Sequence, residues 1–488
     1  MLPHVSFHQE FASSRLQNLL RDLEDKCRGN LRDFAGKRVL VEGGGYGKIW
    51  LETQPMGGEM YALRDPEAAR NNTELFMLLQ REDGRLPGSV ECIGSRLEPQ
   101  FNKVQGFCFP APAMELYYLF GRDPAWLDAL RSCLMKFDAW LWRTRDSNGD
   151  GLLESYCVYD TGEDNALRYG DAPCWWTEDS APTGCSVVPM ASMDVMSWSW
   201  ACRDTLSRIA RLLGSEQDAL LWRQRADETA SALRRGFWDE QAGTCFDIAQ
   251  DGSRVSVLCH NPLRCMYWGS FSQDMAERFV REHLLRADEF NTPMPLPSVA
   301  VRDPLFRNAP ENNWSGQSEG LTWQRAVDAL ENYGMQPLMT RLGKRFLRAL
   351  CEAGGVYAQQ FDPFTGRPSR VGKNSHLPLA DGDPSPVQDA YGPTMLAGLK
   401  YLERLYGISL HSGEIWFGLC SGESCACRAE WNDRSWRLEN DGRRAILFAD
   451  GKELLRCDTG VRVIVSPDGS VLRTVPLETP EAEQAIPV

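Results

Sequence analysis

Apolar residues recur at helical spacing through most of this 488-residue chain, from about residue 8 to residue 407. They fall in segments of about 12 to 24 residues separated by glycine, proline, asparagine and aspartate, whereas a strand would alternate with a period of two. The pattern therefore predicts a nearly all-α region. Its clearest segments begin at Phe7, Asp65, Pro110, Pro124, Met190, Gln217, Gln273, Ser318, Gln336 and Gln388.

Consecutive segments form antiparallel pairs, as in 190–213 with 216–236 and in 318–333 with 336–353. An aspartate before a proline marks helix entrances at Asp65 and Asp123. The clear segments and a few weaker ones match six helical hairpins. We therefore predict a mainly α fold in which these hairpins close into an (α/α)6 toroid.

The periodicity changes near Ile408. Beyond this residue, short alternating runs are separated by Asp-Gly turns at Asp450 and Asp468, which are hairpin signals. We therefore predict a small C-terminal β-sandwich-like domain. The predicted division is an N-terminal helical segment packed on the barrel over 1–39, the barrel over 40–409, the β domain over 410–478 and a tail over 479–488.

The acidic composition narrows the classes of partner. The net charge of -14 is spread along the chain, so the surface would repel nucleic acid and anionic membranes, and we expect neither as a partner. No apolar run approaches the ~20 residues that span a bilayer, and the first residues lack the pattern of a signal peptide. We expect a cytoplasmic protein whose 16 cysteines are reduced, mostly as core thiols.

A glycine-rich turn lies near the N-terminus, where Gly43 to Gly45 precede Tyr46 and Lys48. A phosphate-binding loop needs serine or threonine after the lysine, and Ile49 follows here, so the turn does not indicate nucleotide binding. We predict instead that the turn lets Tyr46 and Trp50 reach a ligand.

A second loop, which begins at Asp146, resembles a calcium-binding loop. Oxygen-bearing side chains alternate along it, and its sixth position is Gly151. The twelfth position is Cys157, where an EF-hand would have a glutamate. We predict a structural calcium here, with an Asx-rich turn as the alternative, and we expect no other cofactor to be required. The predicted ligands are Asp146, Asn148, Asp150 and Glu154.

The residues that follow this loop suit a general acid in a sugar pocket. Asp164 lies in a glycine-containing loop, with Arg168 and Trp175 shortly after it. Aromatic neighbours would desolvate the carboxyl group and raise its pKa, while the arginine would fix its orientation. A surface loop with scattered charges is the alternative interpretation.

The same loop carries a resemblance to a known family. Residues 160–169 match a loop of the type Glu-Ser-Gly-x-Asp-Asn-Ser-x-Arg-Trp, found in the (α/α)6-barrel inverting glycosidases that include trehalase, mannosyl-oligosaccharide glucosidase and mannosylglycerate hydrolase. The resemblance covers about residues 40–407 and implies that Asp164 is the catalytic acid. Further motifs similar to those of the family are Trp238-Asp239, Phe246-Asp247, Asn313 to Gln317, Tyr333-Gly334 and Asp362 to Gly366, and Tyr391 to Pro393 occupies the position of the family's Gly-Trp-Ser.

Two positions depart from the family pattern. Gln359 occupies the position of the family's catalytic base, a glutamate, and Ser315 replaces the motif arginine. An amide cannot accept a proton from water, so another carboxylate must take this role if the chain is a hydrolase. We predict Glu319 as the base, with Asp362 and Glu331 as weaker candidates.

The resemblance implies an inverting, α-glucosidase-like α-glycosidase that acts on a small oligosaccharide or glycoside. Three alternatives stay open: an inverting sugar phosphorylase, a carbohydrate-binding protein without catalysis, and epimerase or lyase chemistry. The last is the least favoured, because the six histidines are scattered. The predicted pocket residues besides the two carboxylates are Tyr46, Trp50, Glu52, Gln105, Arg168, Trp175, Trp314 and Gln359.

Overall fold

A computed structural model describes residues 2–312, 314–373, 377–380 and 382–479 of the chain. This part is mainly helical, as predicted, with a region of strands at its C-terminal end. Its twelve α-helices are α1 Ser14–Arg28, α2 Gln54–Met60, α3 Pro66–Leu78, α4 Pro110–Leu119, α5 Pro124–Thr144, α6 Met193–Leu212, α7 Glu216–Phe237, α8 Asn261–Trp268, α9 Gln273–Phe279, α10 Gly320–Glu331, α11 Gln336–Glu352 and α12 Gly392–Tyr406.

The even-numbered helices contact one another in chain order, from α2 to α12, and α12 contacts α2. Each of them also packs against an odd-numbered helix: α2 to α10 against the helix that follows, and α12 against α1 and α11. Six helices thus close a ring, and the other six lie beside them.

Burial distinguishes the two sets of helices. Helix α12 is buried at every position, whereas α7 buries only a narrow stripe that includes Ala219, Ala226 and Leu233. A helix that is buried all round belongs to a core, and one with a single apolar stripe packs on the outside of it. The even-numbered helices therefore form the inner layer.

The connections between helices differ in length at the two ends of the ring. Only residues 213–215 separate α6 from α7, whereas residues 145–192 separate α5 from α6. Since short connections make neighbouring helices antiparallel, the even-numbered helices run parallel to one another. Their N-terminal ends, and the long connections before them, lie at the same end of the ring.

Two antiparallel sheets form the C-terminal region, in the orders β1-β15-β16-β17-β18 and β13-β14-β19-β20. The strands are β1 Val5–Phe11, β2 Leu31–Phe34, β3 Lys37–Leu40, β4 Ile49–Trp50, β5 Ser89–Ile93, β6 Arg96–Gln100, β7 Glu154–Ser155, β8 Met190–Ala191, β9 Trp238–Asp239, β10 Thr244–Cys245, β11 Ser318–Glu319, β12 Gln360–Phe361, β13 Ile408–His411, β14 Glu414–Leu419, β15 Cys425–Trp431, β16 Arg434–Asn440, β17 Arg444–Ala449, β18 Lys452–Asp458, β19 Val461–Val465 and β20 Val471–Pro476. The predicted change near Ile408 is where β13 begins.

The N-terminal segment differs from its prediction as a helical segment. A helix was predicted from Phe7, but this residue lies in β1, which pairs antiparallel with β15, and α1 begins at Ser14. Alternate residues of β1 turn toward the protein, which is the period of a strand. The chain therefore contributes its first strand to the C-terminal sheet. The tail predicted over 479–488 lies outside the described residues after its first position.

No helix in the described ranges combines the length and the apolar character that a membrane crossing requires.

Candidate active site

Asp164 lies on a tight loop in the long connection before α6, and its two neighbours anchor that loop. The Glu163 carboxylate points beneath the loop, where Arg168 donates a hydrogen bond to it. The side chain of Asn165 reaches the other way: its Nδ2 donates to the Glu311 carbonyl at 2.9 Å, and its Oδ1 accepts from the Trp314 amide at 3.2 Å. Fixing both neighbours leaves Asp164 with little conformational freedom.

Gly162 allows this loop to lie directly on a buried carboxylate. Its φ of +78° is in the region that favours glycine, and a Cβ at this position would collide with the Glu52 carboxylate. Glu52 forms ion pairs with Arg325 and, at 3.7 Å, with Arg264. The structure therefore places Glu52 behind the loop in an ion pair, and not at the pocket surface where we predicted it.

A buried ionic network supports the loop from below. Arg168 pairs with Glu163 and Asp247, while Arg264 lies 3.3 Å from Glu163 and 3.1 Å from Asp194. Burial alone would raise the pKa of Glu163, but the two arginines outweigh it and hold this pKa well below its usual range. Arg168 was predicted to bind sugar hydroxyls. Its guanidinium is instead held by two carboxylates beneath the site, where it fixes the acid loop.

Asp164 itself is exposed to water, unlike these neighbours. Protein atoms nevertheless surround it closely enough that desolvation, with a smaller contribution from the charge of Glu52, raises its pKa to about 7. Gln105 and Lys103 act in the opposite direction. An accessible carboxyl group in such surroundings lies in a concavity, and it holds its proton at neutral pH about half of the time.

Gln105 is aimed at Asp164 by a strained backbone. Its φ is +62°, a conformation that costs a non-glycine residue about 1 to 3 kcal/mol. Its main chain is held there by a hydrogen bond from its amide to the Tyr159 carbonyl at 3.1 Å, and its Nε2 donates to Asp164 Oδ1 at 3.3 Å. The predicted pocket role of Gln105 thus includes orienting the acid.

Aromatic rings and two lysines line the rim beside Asp164. The ammonium groups of Lys103 and Lys48 lie 5.2 Å and 5.8 Å from the centre of the Trp50 ring. Trp175 is 57% exposed, and its ring centre is 6.2 Å from that of Tyr159. Trp175 is therefore available to a ligand, whereas Trp50 is half-buried beneath the two lysines. Trp314 is not available to a ligand: it is buried against the ring of His260 at 5.7 Å.

Lys103 lacks a carboxylate partner. It is only 6% exposed, and its Nζ donates to Asn102 Oδ1 at 3.3 Å; in the described ranges no carboxylate lies within ion-pair distance of it. Burial lowers the pKa of Lys103, and the charge of Asp164 works against this effect. Lys48, by contrast, pairs with Glu91 at 3.1 Å. Lys103 is thus a cation that a bound anion could neutralise.

Glu319 lies next to the family's base position in space. It pairs with Gln360 across the β11–β12 ladder, and the amide of Gly320 donates to the carbonyl of Gln359 at 2.8 Å. The Gln359 side chain accepts a hydrogen bond from the Tyr46 hydroxyl at 3.2 Å. The charges of Glu319 and of Asp164 both act on Tyr46, so the two carboxyl groups lie near the same ring.

Glu319 is fully buried at the start of α10. It is the residue that caps the N-terminal end of α10, where the helix dipole stabilises a negative charge by about 0.3 to 1 kcal/mol, and by up to about 2 kcal/mol when partly buried. Glu331, a weaker candidate, lies about 18 Å away at the other end of α10 and pairs with Arg462 at 2.6 Å. Asp362 is held by the Asn308 side chain at 2.8 Å and by backbone amides.

The structure adds residues that sequence reasoning missed. Lys103, Tyr159 and Tyr391 come from three separate connections and meet near Asp164 and Tyr46. Tyr391 was singled out only as part of a motif, and Glu42, which also belongs to this group, was signalled only by its position directly before the glycine turn. Lys103 and Tyr159 are brought in by long-range contacts.

The predicted calcium loop is closed by its own hydrogen bonds. Asp146 Oδ1 accepts from the Gly151 amide at 3.2 Å, Asn148 Oδ1 from the Asp150 amide at 3.0 Å, and Glu154 Oε2 from the Ser147 amide at 3.0 Å. Over the described residues, no three His, Cys, Asp or Glu side chains form a metal-binding group. Calcium binding by Asp146, Asn148, Asp150 and Glu154 therefore remains a proposal.

Known proteins that are similar to this chain include several glycosidases. The model of the mannosylglycerate hydrolase MGH1-like glycoside hydrolase domain matches residues 58–376, well over half of the chain. The GH63 mannosylglycerate hydrolase from Thermus thermophilus in complex with Tris is similar over 79% of this chain and 100% of its own, with a TM-score of 0.61 and 18% identity. That enzyme has also been solved with Tris and D-glycerate.

Two other glycosidase structures are similar as well. Neutral trehalase Nth1 from Saccharomyces cerevisiae matches over 75% of this chain and 74% of its own, with a TM-score of 0.55 and 13% identity. The alpha-L-rhamnosidase from Dictyoglumus thermophilum matches over 92% of this chain and 44% of its own, with a TM-score of 0.58 and 12% identity. At such low identity these likenesses show a shared fold.

Proposed function

The chain belongs to the mannosylglycerate hydrolase MGH1-like glycoside hydrolases, and from this premise we propose that it hydrolyses an α-glycosidic bond with inversion at the anomeric carbon. The observation that carries the proposal is Asp164, an exposed carboxyl group whose surroundings raise its pKa to about 7. A glycosidase acid needs this combination, because it must reach the substrate and still hold a proton.

We propose further that the ring of even-numbered helices is the inner wall of an (α/α)6 barrel. The closed set of contacts from α2 to α12 and back to α2 supports this, as does the burial that separates inner from outer helices. The site then lies at the end of the barrel where the long connections gather.

In the proposed reaction, Asp164 gives its proton to the glycosidic oxygen as the bond to the anomeric carbon breaks. Glu319 takes a proton from a water molecule, and that water attacks the anomeric carbon from the opposite face. Inversion follows from this geometry. The helix dipole of α10 supports the ionised form of Glu319 that the step requires, and Gln359 and Tyr46 would position the water or a sugar hydroxyl.

Lys103 suggests the class of leaving group. Since Asp164 protonates the leaving group, a cation beside Asp164 faces the aglycone and not the incoming nucleophile. We therefore propose an aglycone that carries a carboxylate or another anion. This placement argues against phosphorolysis, in which the anion would enter from the opposite face. The structure of the Thermus enzyme with D-glycerate supports an anionic leaving group.

The pH profile should show the titration of Asp164. Its folded pKa of about 7 is above that of an ordinary aspartate, so the active, protonated form persists through mildly acidic pH and is lost as the pH rises through about 7. We expect kcat/KM to fall about tenfold per pH unit above this point. A steady-state profile on an α-glycoside measures it, and activity that stays constant up to about pH 9 would contradict Asp164 as the acid.

Lys103→Met should weaken binding of a glycoside with an anionic aglycone. We expect KM to rise about 10- to 100-fold for such a substrate and much less for one with a neutral aglycone, because the lost contact is charge-assisted. The high-pH limb of the profile, where kcat/KM falls as Asp164 loses its proton, should also move to higher pH. Lys103 lowers the pKa of Asp164, so its removal should raise that pKa.

Lys48→Met is the matched control, since Lys48 already pairs with Glu91 and should contribute less. Equal KM effects of Lys103→Met on the anionic and neutral substrates would count against the anionic aglycone.

A further inference from the structure

A third carboxyl group, that of Glu42, lies among the residues of the site. It is 7% exposed, and its Oε1 accepts a hydrogen bond from the Tyr391 hydroxyl at 3.0 Å. The Tyr391 ring stands 6.4 Å from that of Tyr46, the residue on which Glu42, Asp164 and Glu319 all act. Glu42 therefore belongs to the same cluster as the two proposed catalytic groups.

No cation compensates a charge on Glu42. Among the described residues, no lysine, arginine or histidine lies within ion-pair distance of it, and the groups that act on it are the neutral Tyr391 and Trp50 and the acidic Glu52 and Asp164. Burial, and then the charges of Glu52 and Asp164, raise the pKa of Glu42 well above its usual range. An isolated buried carboxylate next to other acids would be costly, so the proton stays.

We propose that Glu42 works as a neutral carboxylic acid that donates a hydrogen bond to the sugar bound against Tyr46. The inference rests on the proposed function, since it assumes that a sugar occupies this pocket. It assigns Glu42 to sugar recognition rather than to catalysis, because a protonated carboxyl group cannot take a proton from water.

Glu42 and Glu319 share several features. Both are buried glutamates near Tyr46, and both lie at the N-terminal end of a helix, because Glu319 precedes α10 and the Glu42 carbonyl accepts a hydrogen bond from the amide of Gly392, the first residue of α12. The side chain of Glu42 accepts a hydrogen bond from Tyr391, the residue directly before α12. Position at a helix end therefore does not decide the protonation of Glu42, which follows from its burial and from the acidic groups around it.

A neutral Glu42 also limits repulsion within the site. If it were ionised, its charge would add to that of Glu52 and raise the pKa of Asp164 further. A neutral group instead offers the sugar a donor without adding a charge. Its hydroxyl proton is free for this use, since the contact with Tyr391 is one in which Glu42 accepts.

Infrared difference spectroscopy tests the protonation state without any substrate. Asp164→Asn serves as the background, because it removes a carboxyl group of the same site that titrates near pH 7, and it is compared with Asp164→Asn/Glu42→Gln at about pH 8. Other protonated carboxyl groups are present in both proteins and cancel in the difference. We expect the carbonyl stretch of a protonated carboxylic acid in the first protein and its loss in the second. No such difference would overturn the proposal, whether or not the protein hydrolyses the glycosides tried.

Activity of single variants tests the hydrogen bond. Glu42→Gln keeps a neutral donor and should lower kcat/KM by only a few-fold, whereas Glu42→Leu removes the donor and should lower it about 10- to 100-fold. The high-pH limb should keep its position in Glu42→Gln, because no charge is removed.

An ionised Glu42 would give the opposite results. Glu42→Gln would then move the high-pH limb downward by removing a negative charge near Asp164, and it would cost as much activity as Glu42→Leu. Absence of hydrolysis by the wild type would count against the proposed function alone, since the infrared result does not depend on turnover.

Discussion

Glu319→Gln is expected to abolish hydrolysis of the α-glycosides that we propose as substrates. The loss should lie at or beyond the upper end of the roughly 10²- to 10⁴-fold range for removal of a general base, since water must be deprotonated whatever group leaves. Substrates with poor and with good leaving groups should therefore be affected alike. Initial rates with one substrate of each kind measure the effect.

Two controls make this result specific to the base. Azide needs no deprotonation, so it should restore turnover of Glu319→Gln with a glycosyl azide as the product. Gln359→Glu in the same background places a carboxylate at the family's base position, directly before the adjacent strand β12, and it should recover part of the activity. A nearly silent Glu319→Gln would show that the base is elsewhere.

Asp164→Asn should separate substrates by their leaving groups. Asparagine has the same shape as aspartate, although its hydrogen bond from Gln105 would be weaker. The acidic proton that the reaction needs is lost. We expect activity on a poor leaving group, such as a sugar or glycerate, to fall by roughly 10² to 10⁴. A dinitrophenolate or fluoride needs little protonation, so its release should be affected far less.

Two further measurements secure this interpretation. The high-pH limb near 7 should disappear in Asp164→Asn, because the group that titrates there is gone. Glu178→Gln, an exposed residue of the same long connection, should behave as the wild type. An equal loss on both classes of leaving group would mean that Asp164 shapes the pocket and does not donate the proton.

The sequence predicted the elements that depend on local pattern. Helical periodicity predicted segments for all of the helices except α2 and α8, two short inner helices of 7 and 8 residues. The Asp-Gly turn at Asp450 predicted the hairpin of β17 and β18. Strand β1 was missed because its partner is more than 400 residues away in the chain, and a short alternating segment beside a helical one is ambiguous on its own.

In the site, too, local sequence pattern predicted some features and long-range contacts determine the others. The acid loop was predicted through its resemblance, and the structure places Asp164 in surroundings that suit an acid. Arg168 and Glu52 were predicted to contact the ligand, whereas the structure places both in ion pairs behind the acid loop. Residue type does not tell whether a charged group faces the ligand or supports the loop from behind. Glu42 and Lys103 could not be identified as site residues from the sequence, because their roles depend on which charged groups the fold places near them.

The most direct test of the account is the identity and anomeric form of the first product. Proton NMR, recorded while the wild-type enzyme turns over an α-glycoside with an anionic aglycone, should show the free sugar appearing first as its β-anomer, at a rate that does not depend on phosphate. An initial α-anomer would contradict inversion by Asp164 and Glu319, and a sugar 1-phosphate formed only with phosphate would show that the chain is a phosphorylase.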